Sequence, residues 1–175
     1  MGVKEQIWIA RDFPRCSGCR MCEIACSLHH ENKIWPEASR VRVFMRVPGA
    51  EFPHLCTQCH DYPCVASCPV GALTVDEGTT AVLVDRGKCT GCGLCIRACP
   101  GSIPFLHPKD GKATICDLCG GDPECVKVCM NGQWNVLRKV PRDSDHSYKL
   151  YARRPEEITR SLLTIIYGEK GAELI

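Results

Sequence analysis

Sixteen of the 175 residues are cysteine, and the apolar fraction of 45% already includes them, so the aliphatic and aromatic residues left over make a thin core that needs covalent or metal staples. A formal net charge of +2 with Lys and Arg scattered along the chain excludes the basic footprint of a nucleic-acid binder. The absence of any apolar run of about 18 residues excludes a transmembrane helix. The opening Met1 to Gln6 has no apolar export signal and no twin arginines, and Gln6 stands where a myristoylation signal has Ser or Thr; the expectation is a cytoplasmic chain.

In chain order, the first element is Cys16-x2-Cys19-x2-Cys22-x3-Cys26. The second run is Cys56-x2-Cys59-x4-Cys64-x3-Cys68-Pro69. It is followed by a hairpin pattern, Leu73 to Val75, a turn at Asp76-Glu77-Gly78, and Ala81 to Val84. The third run is Cys89-x2-Cys92-x2-Cys95-x3-Cys99-Pro100, and the fourth is Cys116-x2-Cys119-x5-Cys125-x3-Cys129. Beyond Asn131, Trp134 to Leu137 and Lys149 to Tyr151 read as short strands separated by the polar segment Pro141 to Ser147. Pro155 then opens a helix with Glu156 and Glu157 in its first turn, an apolar face of Ile158, Leu162, Ile165 and Ile166, and a stop at Gly168.

The cysteines thus divide into four groups of four with none left over. Three thiolates on one tight loop can hold three irons of a cubane, and a fourth, three residues later on an emerging helical turn, reaches the neighbouring cluster. Gly18, Gly91 and Gly93 suit loops whose backbone approaches a sulfide closely. Disulfides need an oxidising compartment, and structural zinc sites pair one Cys-x2-Cys with another rather than lending a displaced fourth ligand. With all thiols ionised on four cores of about +2 each, the net charge of the loaded chain falls to about −6.

Only the second and third runs end in Cys-Pro, and the hairpin joins them. They read as one two-cluster module, which leaves the first and fourth runs to pair with each other; sequential pairing is the alternative. By the lending rule, nested pairing gives Cys16, Cys19, Cys22 and Cys129 for cluster 1, and Cys26, Cys116, Cys119 and Cys125 for cluster 2. It gives Cys56, Cys59, Cys64 and Cys99 for cluster 3, and Cys68, Cys89, Cys92 and Cys95 for cluster 4. The expected fold class is α+β: two bacterial-ferredoxin-like two-cluster modules, one nested inside the other, with a C-terminal helical extension. The outer module takes residues 1–50 and 109–154, the inner one 51–108, and the helical arm 155–175.

The order of the runs, with Cys-Pro-Val-Gly-Ala closing at Ala72 and Cys-Thr-Gly-Cys-Gly-Leu-Cys-Ile-Arg-Ala-Cys-Pro from Cys89 to Pro100, resembles the four-cluster iron-sulfur subunits of molybdenum and tungsten pterin oxidoreductases. The stretch Cys116 to Cys129 is similar to the small electron-transfer subunit of tungsten aldehyde oxidoreductase. The resemblance covers about Arg11 to Asn131. It implies nested pairing, a roughly linear wire of clusters, and four 4Fe-4S clusters, since Cys95 is present where some relatives have lost a ligand. Gln58 stands where relatives often carry His, which implies an altered contact to a partner. Some relatives are exported by riding with a signal-bearing catalytic subunit, so the resemblance leaves export open as an alternative to the cytoplasm.

With every ligand position filled by a thiolate, His29, His30, His54, His60, His107 and His146 are expected to be ordinary loop or core residues; His60, inside the second run, is the one within reach of tuning a cluster by hydrogen bonding, with a plain loop histidine the favoured reading. Trp8, Trp35 and Trp134 are read as packing residues, and Ile24, Val65, Ile96, Ile103 and Val126 as side chains that keep water off the clusters. Arg15, Arg20 and Lys88 flank ligand runs and are either cluster-tuning or solvated charges. No dinucleotide fingerprint, phosphate loop or nucleophile-base constellation appears, so catalytic residues are expected on another polypeptide. The resemblance implies a large tungsten- or molybdenum-pterin catalytic subunit and a second carrier, a flavoprotein or ferredoxin. A free polyferredoxin and a hydrogenase or formate dehydrogenase subunit are the alternatives. Self-association through end clusters is a further expectation, as is docking of the C-terminal helix on its own body or on a partner.

Overall fold

A computed structural model describes residues 6–143 and 147–174. The opening residues 1–5 and His146 lie outside the described residues. The chain runs β1 (Ile7–Arg11), α1 (Met21–Glu31), β2 (Arg42–Met45), β3 (Glu51–His54), α2 (Pro63–Ala66), β4 (Leu73–Val75), β5 (Val82–Val84), α3 (Leu94–Ala98), β6 (Phe105–Leu106), β7 (Ala113–Thr114), α4 (Glu124–Asn131), β8 (Leu137–Pro141) and α5 (Pro155–Tyr167). It is a small α+β protein whose strands form four separate two-stranded sheets, β1-β8, β2-β3, β4-β5 and β6-β7. No helix among the described residues is long and apolar enough to cross a membrane.

All four strand pairs are antiparallel. The β4-β5 ladder sets Leu73 against Val84 and Val75 against Val82, as the hairpin pattern requires. The β1-β8 ladder joins chain ends more than a hundred residues apart, Ile7 opposite Pro141 and Arg11 opposite Leu137. The β2-β3 hairpin, Arg42 opposite His54 and Met45 opposite Glu51, straddles position 50/51. In each run the third and fourth cysteines are four apart, which sets them one helical turn from each other on one face. Cys22 and Cys26 thus share the buried side of α1, and Cys125 and Cys129 that of α4. α1 packs on α4, and the shorter α2 on α3.

Three expectations are corrected. Trp134 to Val136 is not a strand: Gln133 and Asn135 hold positive φ of 64° and 51°, and Trp134 N–H turns back to donate to the Cys129 carbonyl at 3.2 Å. Tyr148–Tyr151 is a 3-10 turn rather than a strand. Its threefold period brings Tyr148 and Tyr151 to one side, where both rings pack on Trp8 at 4.8 and 4.9 Å. The helix from Pro155 and its Gly168 stop are found, but its buried face carries Ile158, Thr159, Leu162 and Leu163. Ile165 stands 67% exposed because it falls off the edge of that face, and Ile166 lies in the last turn, beyond the partnering surface. This face closes a satellite core with Ala50 and Phe52, so the helix packs on the chain's own body.

Candidate metal centres

All sixteen cysteines are free thiols; ten are buried, Cys16, Cys68, Cys99 and Cys119 are half-buried, and Cys19 and Cys92 are exposed. Cys16, Cys19, Cys22 and Cys129 line one cavity, roofed by Trp134 and Val136. Cys68, Cys89, Cys92 and Cys95 line another with Gly91 and Gly93. Among the rest, Cys59 and Cys99 act electrostatically on Cys56 and Cys64, while Cys26 acts on Cys116, Cys119 and Cys125. The sets also adjoin one another: Cys22 is felt at Cys125, and Cys56 at Cys116.

Local backbone geometry places these thiols. Gly18 and Gly91 sit at φ of 67° and 74°, where an L side chain is strained. A Cβ on Gly91 would come within 2.5 Å of the Gly111 carbonyl oxygen, and one on Gly18 within 2.7 Å of the Glu51 side chain. Backbone N–H groups then reach sulfur. Ala72 donates to Cys68 Sγ at 3.2 Å, Arg40 to Cys26 at 3.3 Å, Ala113 to Cys89 at 3.3 Å and Ile103 to Cys99 at 3.5 Å. Such donors favour extra negative charge on sulfur and raise the potential of a cluster it ligates.

Burial pushes the Cys22, Cys56 and Cys64 thiols up to about 12, reinforced by neighbouring thiols and, at Cys22, by Glu23. It pushes Cys119 to about 11 and Cys116 and Cys125 well above the ordinary value. Cys68 moves the other way: its slight burial is outweighed by N–H donation from Ala72, Val70, Leu73 and Gly71. Thiols held this far from ionisation become thiolates only when a cation displaces the proton. Soft sulfur donors alone, gathered in fours, fit 4Fe-4S clusters. Gln58 adds an independent sign: it is wholly buried, and its Oε1 and Nε2 both lack a protein partner, as a side chain facing a bound group would.

That burial corrects the expected role of Gln58, since a side chain with no exposure cannot contact a partner. His60 is exposed and stacks on Tyr148 rather than facing a thiol. The histidine beside sulfur is His30, whose Nε2 lies 3.8 Å from Cys119 Sγ and 3.4 Å from Asp117. Burial, then Arg40, pulls its pKa down to about 4. His29, His30 and Cys119 lie close enough to share an ion, but Cys119 also lies within electrostatic reach of the Cys26 and Cys125 thiols. Arg15 is exposed, Arg20 pairs with Glu23 at 3.5 Å and Lys88 with Asp85 at 3.6 Å, which makes them surface charges. Val126 and Ile103 are buried, and Val65, Ile96 and Trp134 pack against the main core, as water-excluding side chains should.

The cation the sequence did not reveal is Arg11. Its Nη2 donates to the Cys56 carbonyl at 2.7 Å, and its Nε is buried without a partner. Burial pulls its pKa down to about 10, opposed by Cys56, Cys116, Cys125 and Cys59, so it stays charged at neutral pH. Nothing in the local pattern of β1 marks it, because its neighbours come from runs far along the chain.

Residues 48–139 match the family model of the 4Fe-4S dicluster domain, and residues 13–28 match a 4Fe-4S binding domain. The chain belongs to the 4Fe-4S dicluster-domain family. It is 48% identical, over 95% of its own length and 96% of the relative's, to the aliphatic sulfonate oxidoreductase, polyferredoxin-like subunit of Pyrococcus furiosus. It is 36% identical to the thiosulfate reductase electron transfer subunit PhsB of Salmonella typhi, over 73% of each chain. Among solved structures it is similar to a chain of the active site complex BamBC of benzoyl coenzyme A reductase, at 25% identity and a TM-score of 0.46, covering 94% of this chain and 93% of that one. This dicluster-family chain therefore carries several 4Fe-4S clusters, and its part in oxidoreduction is electron transfer rather than catalysis.

Proposed function

We propose that the chain conducts electrons singly through four 4Fe-4S clusters, from a catalytic subunit bearing a tungsten or molybdenum pterin to a second carrier such as a flavoprotein or ferredoxin, or in reverse. The ligand sets are Cys16, Cys19, Cys22 and Cys129; Cys26, Cys116, Cys119 and Cys125; Cys56, Cys59, Cys64 and Cys99; and Cys68, Cys89, Cys92 and Cys95. The outer module holds the first two and the inner module the last two. The packing of α1 on α4 and the closure of β1 on β8 support this pairing. Each cluster, when bound, accepts and releases one electron.

The observation that carries the reading is the placement of the exposed thiols. Cys19 and Cys92 are the exposed cysteines, and they fall in the first and fourth sets. The neighbour relations Cys22 to Cys125 and Cys116 to Cys56 join the first set to the second and the second to the third, and Cys64 and Cys68, four positions apart in one run, join the third to the fourth. A row whose fully exposed thiols lie in its two end sets suits transfer between two docked proteins. Within it, the backbone donors to Cys26, Cys68, Cys89 and Cys99 hold sulfur charge in place, and the buried aliphatic residues keep water from the inner thiolates.

For the catalytic partner, the identity to the Pyrococcus furiosus subunit supports an oxidoreductase acting on aliphatic sulfonates, while an aldehyde oxidoreductase rests on the resemblance of the Cys116 to Cys129 stretch alone. Anaerobic pull-down of the native complex, with analysis for iron, tungsten, molybdenum and nickel, is the test. About 16 irons on this chain with tungsten or molybdenum on a larger partner are expected; nickel, or no second protein, refutes the assignment in favour of a hydrogenase subunit or free polyferredoxin.

A further inference from the structure

Away from the thiol sets, a cavity of about 430 Å³ opens between β2, β3, the segment after Cys99 and the start of α5. Arg40, Arg42 and Arg154 line it, together with Phe44, Phe105 and Glu156. The charges do not cancel inside it. Arg40 is bound to Asp117 and Glu156 to Arg46, whereas neither Arg42 nor Arg154 makes an ion pair among the described residues. The acid that acts on Arg42 from farther off, Glu23, is itself paired with Arg20.

Arg42 is also held in place. Its guanidinium lies 4.0 Å over the Phe105 ring, and its Nη2 faces the Glu37 carbonyl at 3.4 Å. Burial pulls its pKa down, opposed by Glu23, as befits a cation partly withdrawn from water and in no direct ion pair. Arg154 caps the 13-residue helix α5, and Pro155 at the first helical position also lines the cavity. The positive end of the helix dipole faces the same cavity, partly offset by Glu157, whose Oε2 accepts the Arg154 N–H at 2.8 Å. His54, in the wall, is fixed by its Nε2 contact to the Arg153 carbonyl at 3.0 Å and brings no negative charge.

We propose that this cavity binds a small organic oxyanion, a phosphate, sulfonate or carboxylate on a planar or apolar body. Arg42 and Arg154 grip the oxygens, and the Phe44 and Phe105 walls take the body. A volume of about 430 Å³ suits a ligand of mononucleotide size. Bidentate hydrogen bonding by arginine favours planar or tetrahedral oxyanions over chloride. The concave shape and aromatic walls favour a free small molecule over an acidic segment of a partner. The inference goes beyond electron transfer and does not depend on the cluster assignment.

The test is isothermal titration of the oxidised, cluster-loaded chain with AMP and with inorganic pyrophosphate, comparing wild type with Arg42→Gln, Arg42→Lys, Arg154→Gln and the exposed control Arg160→Gln. The cluster absorbance of each variant verifies that it has folded. Saturable one-to-one binding is expected for AMP, and weaker binding for pyrophosphate, which lacks the planar body. AMP binding should weaken tenfold or more in Arg42→Gln and Arg154→Gln, weaken less in Arg42→Lys, and stay unchanged in Arg160→Gln. Absence of saturable binding by both probes overturns the proposal, as does equal affinity in wild type and the two Gln variants. If both probes fail while Arg42→Gln abolishes capture of the native partner, the cavity holds a partner's carboxylate and the small-molecule reading is wrong.

Discussion

Replacing Arg11 by Gln removes a cation that sits between two thiol sets. The whole residue is partly buried, but its guanidinium is enclosed, with Nη2 on the Cys56 carbonyl and the thiols of Cys116 and Cys125 acting on it from the neighbouring set. A unit charge about 7 Å from a cluster, at an effective dielectric of about 20, is worth about 2.4 kcal/mol, or about 100 mV for one electron. A reduced cluster carries one more negative charge, so losing the cation lowers the potential. Arg11→Gln is expected to lower the potentials of two clusters by about 50 to 100 mV each and to leave the other two in place. Arg11→Lys, which keeps the charge, should shift them far less. The assay is an anaerobic potentiometric titration followed by electron paramagnetic resonance, with iron content measured on the same samples. Unchanged potentials in a fully loaded Gln variant, an equal shift in all four clusters, or a Lys variant as displaced as the Gln one would each refute the placement of Arg11 at a junction.

Cys129→Ala is expected to remove or convert the cluster shared with Cys16, Cys19 and Cys22; loss of the third run's cluster with the first intact, read from paramagnetic spectra, contradicts nested pairing. Gly91→Ala combines a left-handed backbone at φ of 74° with a 2.5 Å approach to the Gly111 carbonyl and should cost roughly 2 to 3 kcal/mol and lower iron content. Gly120→Ala, at φ of 65° with open space around it, should cost only about 1 kcal/mol in the same thermal unfolding assay. Leu163→Ala, in the fully buried satellite core, should destabilise the chain by about 2 to 5 kcal/mol without changing the cluster spectrum. Because burial holds Cys22, Cys56 and Cys64 protonated up to about pH 12, loading with iron and sulfide must release protons. Iron uptake by the metal-free chain should weaken as pH falls from 8.5 to about 6.5, and pH-independent uptake contradicts this.

Ligand runs are legible in sequence because they are local: two- and three-residue gaps decide which thiols share a loop and which sit one helical turn on. The β4-β5 hairpin and the α5 boundaries are legible for the same reason, through alternation, Pro155 and Gly168. What joins distant runs leaves no such trace. The β1-β8 ladder has one strand on each side of all four runs, and β2-β3 is a hairpin whose second strand contains Pro53, a residue that argues against a strand. The same distance hides Arg11, whose neighbours lie 45 and more positions away, and it hides the amides of Ala72 and Ala113, since alanine carries no signal for donation to sulfur. Gln58 and His60 both lie inside the second run, yet Gln58 is wholly buried while His60 is exposed, as a plain loop histidine would be. Loop backbone, with Gln58 at φ of 47°, decides which way each points, and spacing alone does not encode that.

The thin aliphatic core and the electron path have a common cause. Ten of the side chains in the main core are cysteines, and in the metal-free chain they are buried thiols that add little apolar area and resist ionisation. Four two-stranded sheets cannot make up the difference, since an isolated two-stranded ladder is marginal in water. On the proposed pairing, metal ligation converts these same positions into cross-links between segments as distant as Cys16 and Cys129, so binding free energy becomes folding free energy. A chain built this way places its redox centres in its interior because they are its interior, with Cys19 and Cys92 the thiols that stand fully exposed. Water exclusion, cluster spacing and stability then cannot be varied independently. A substitution that loosens one ligand loop, such as that at Gly91, should disturb the fold and interrupt the wire in the same step.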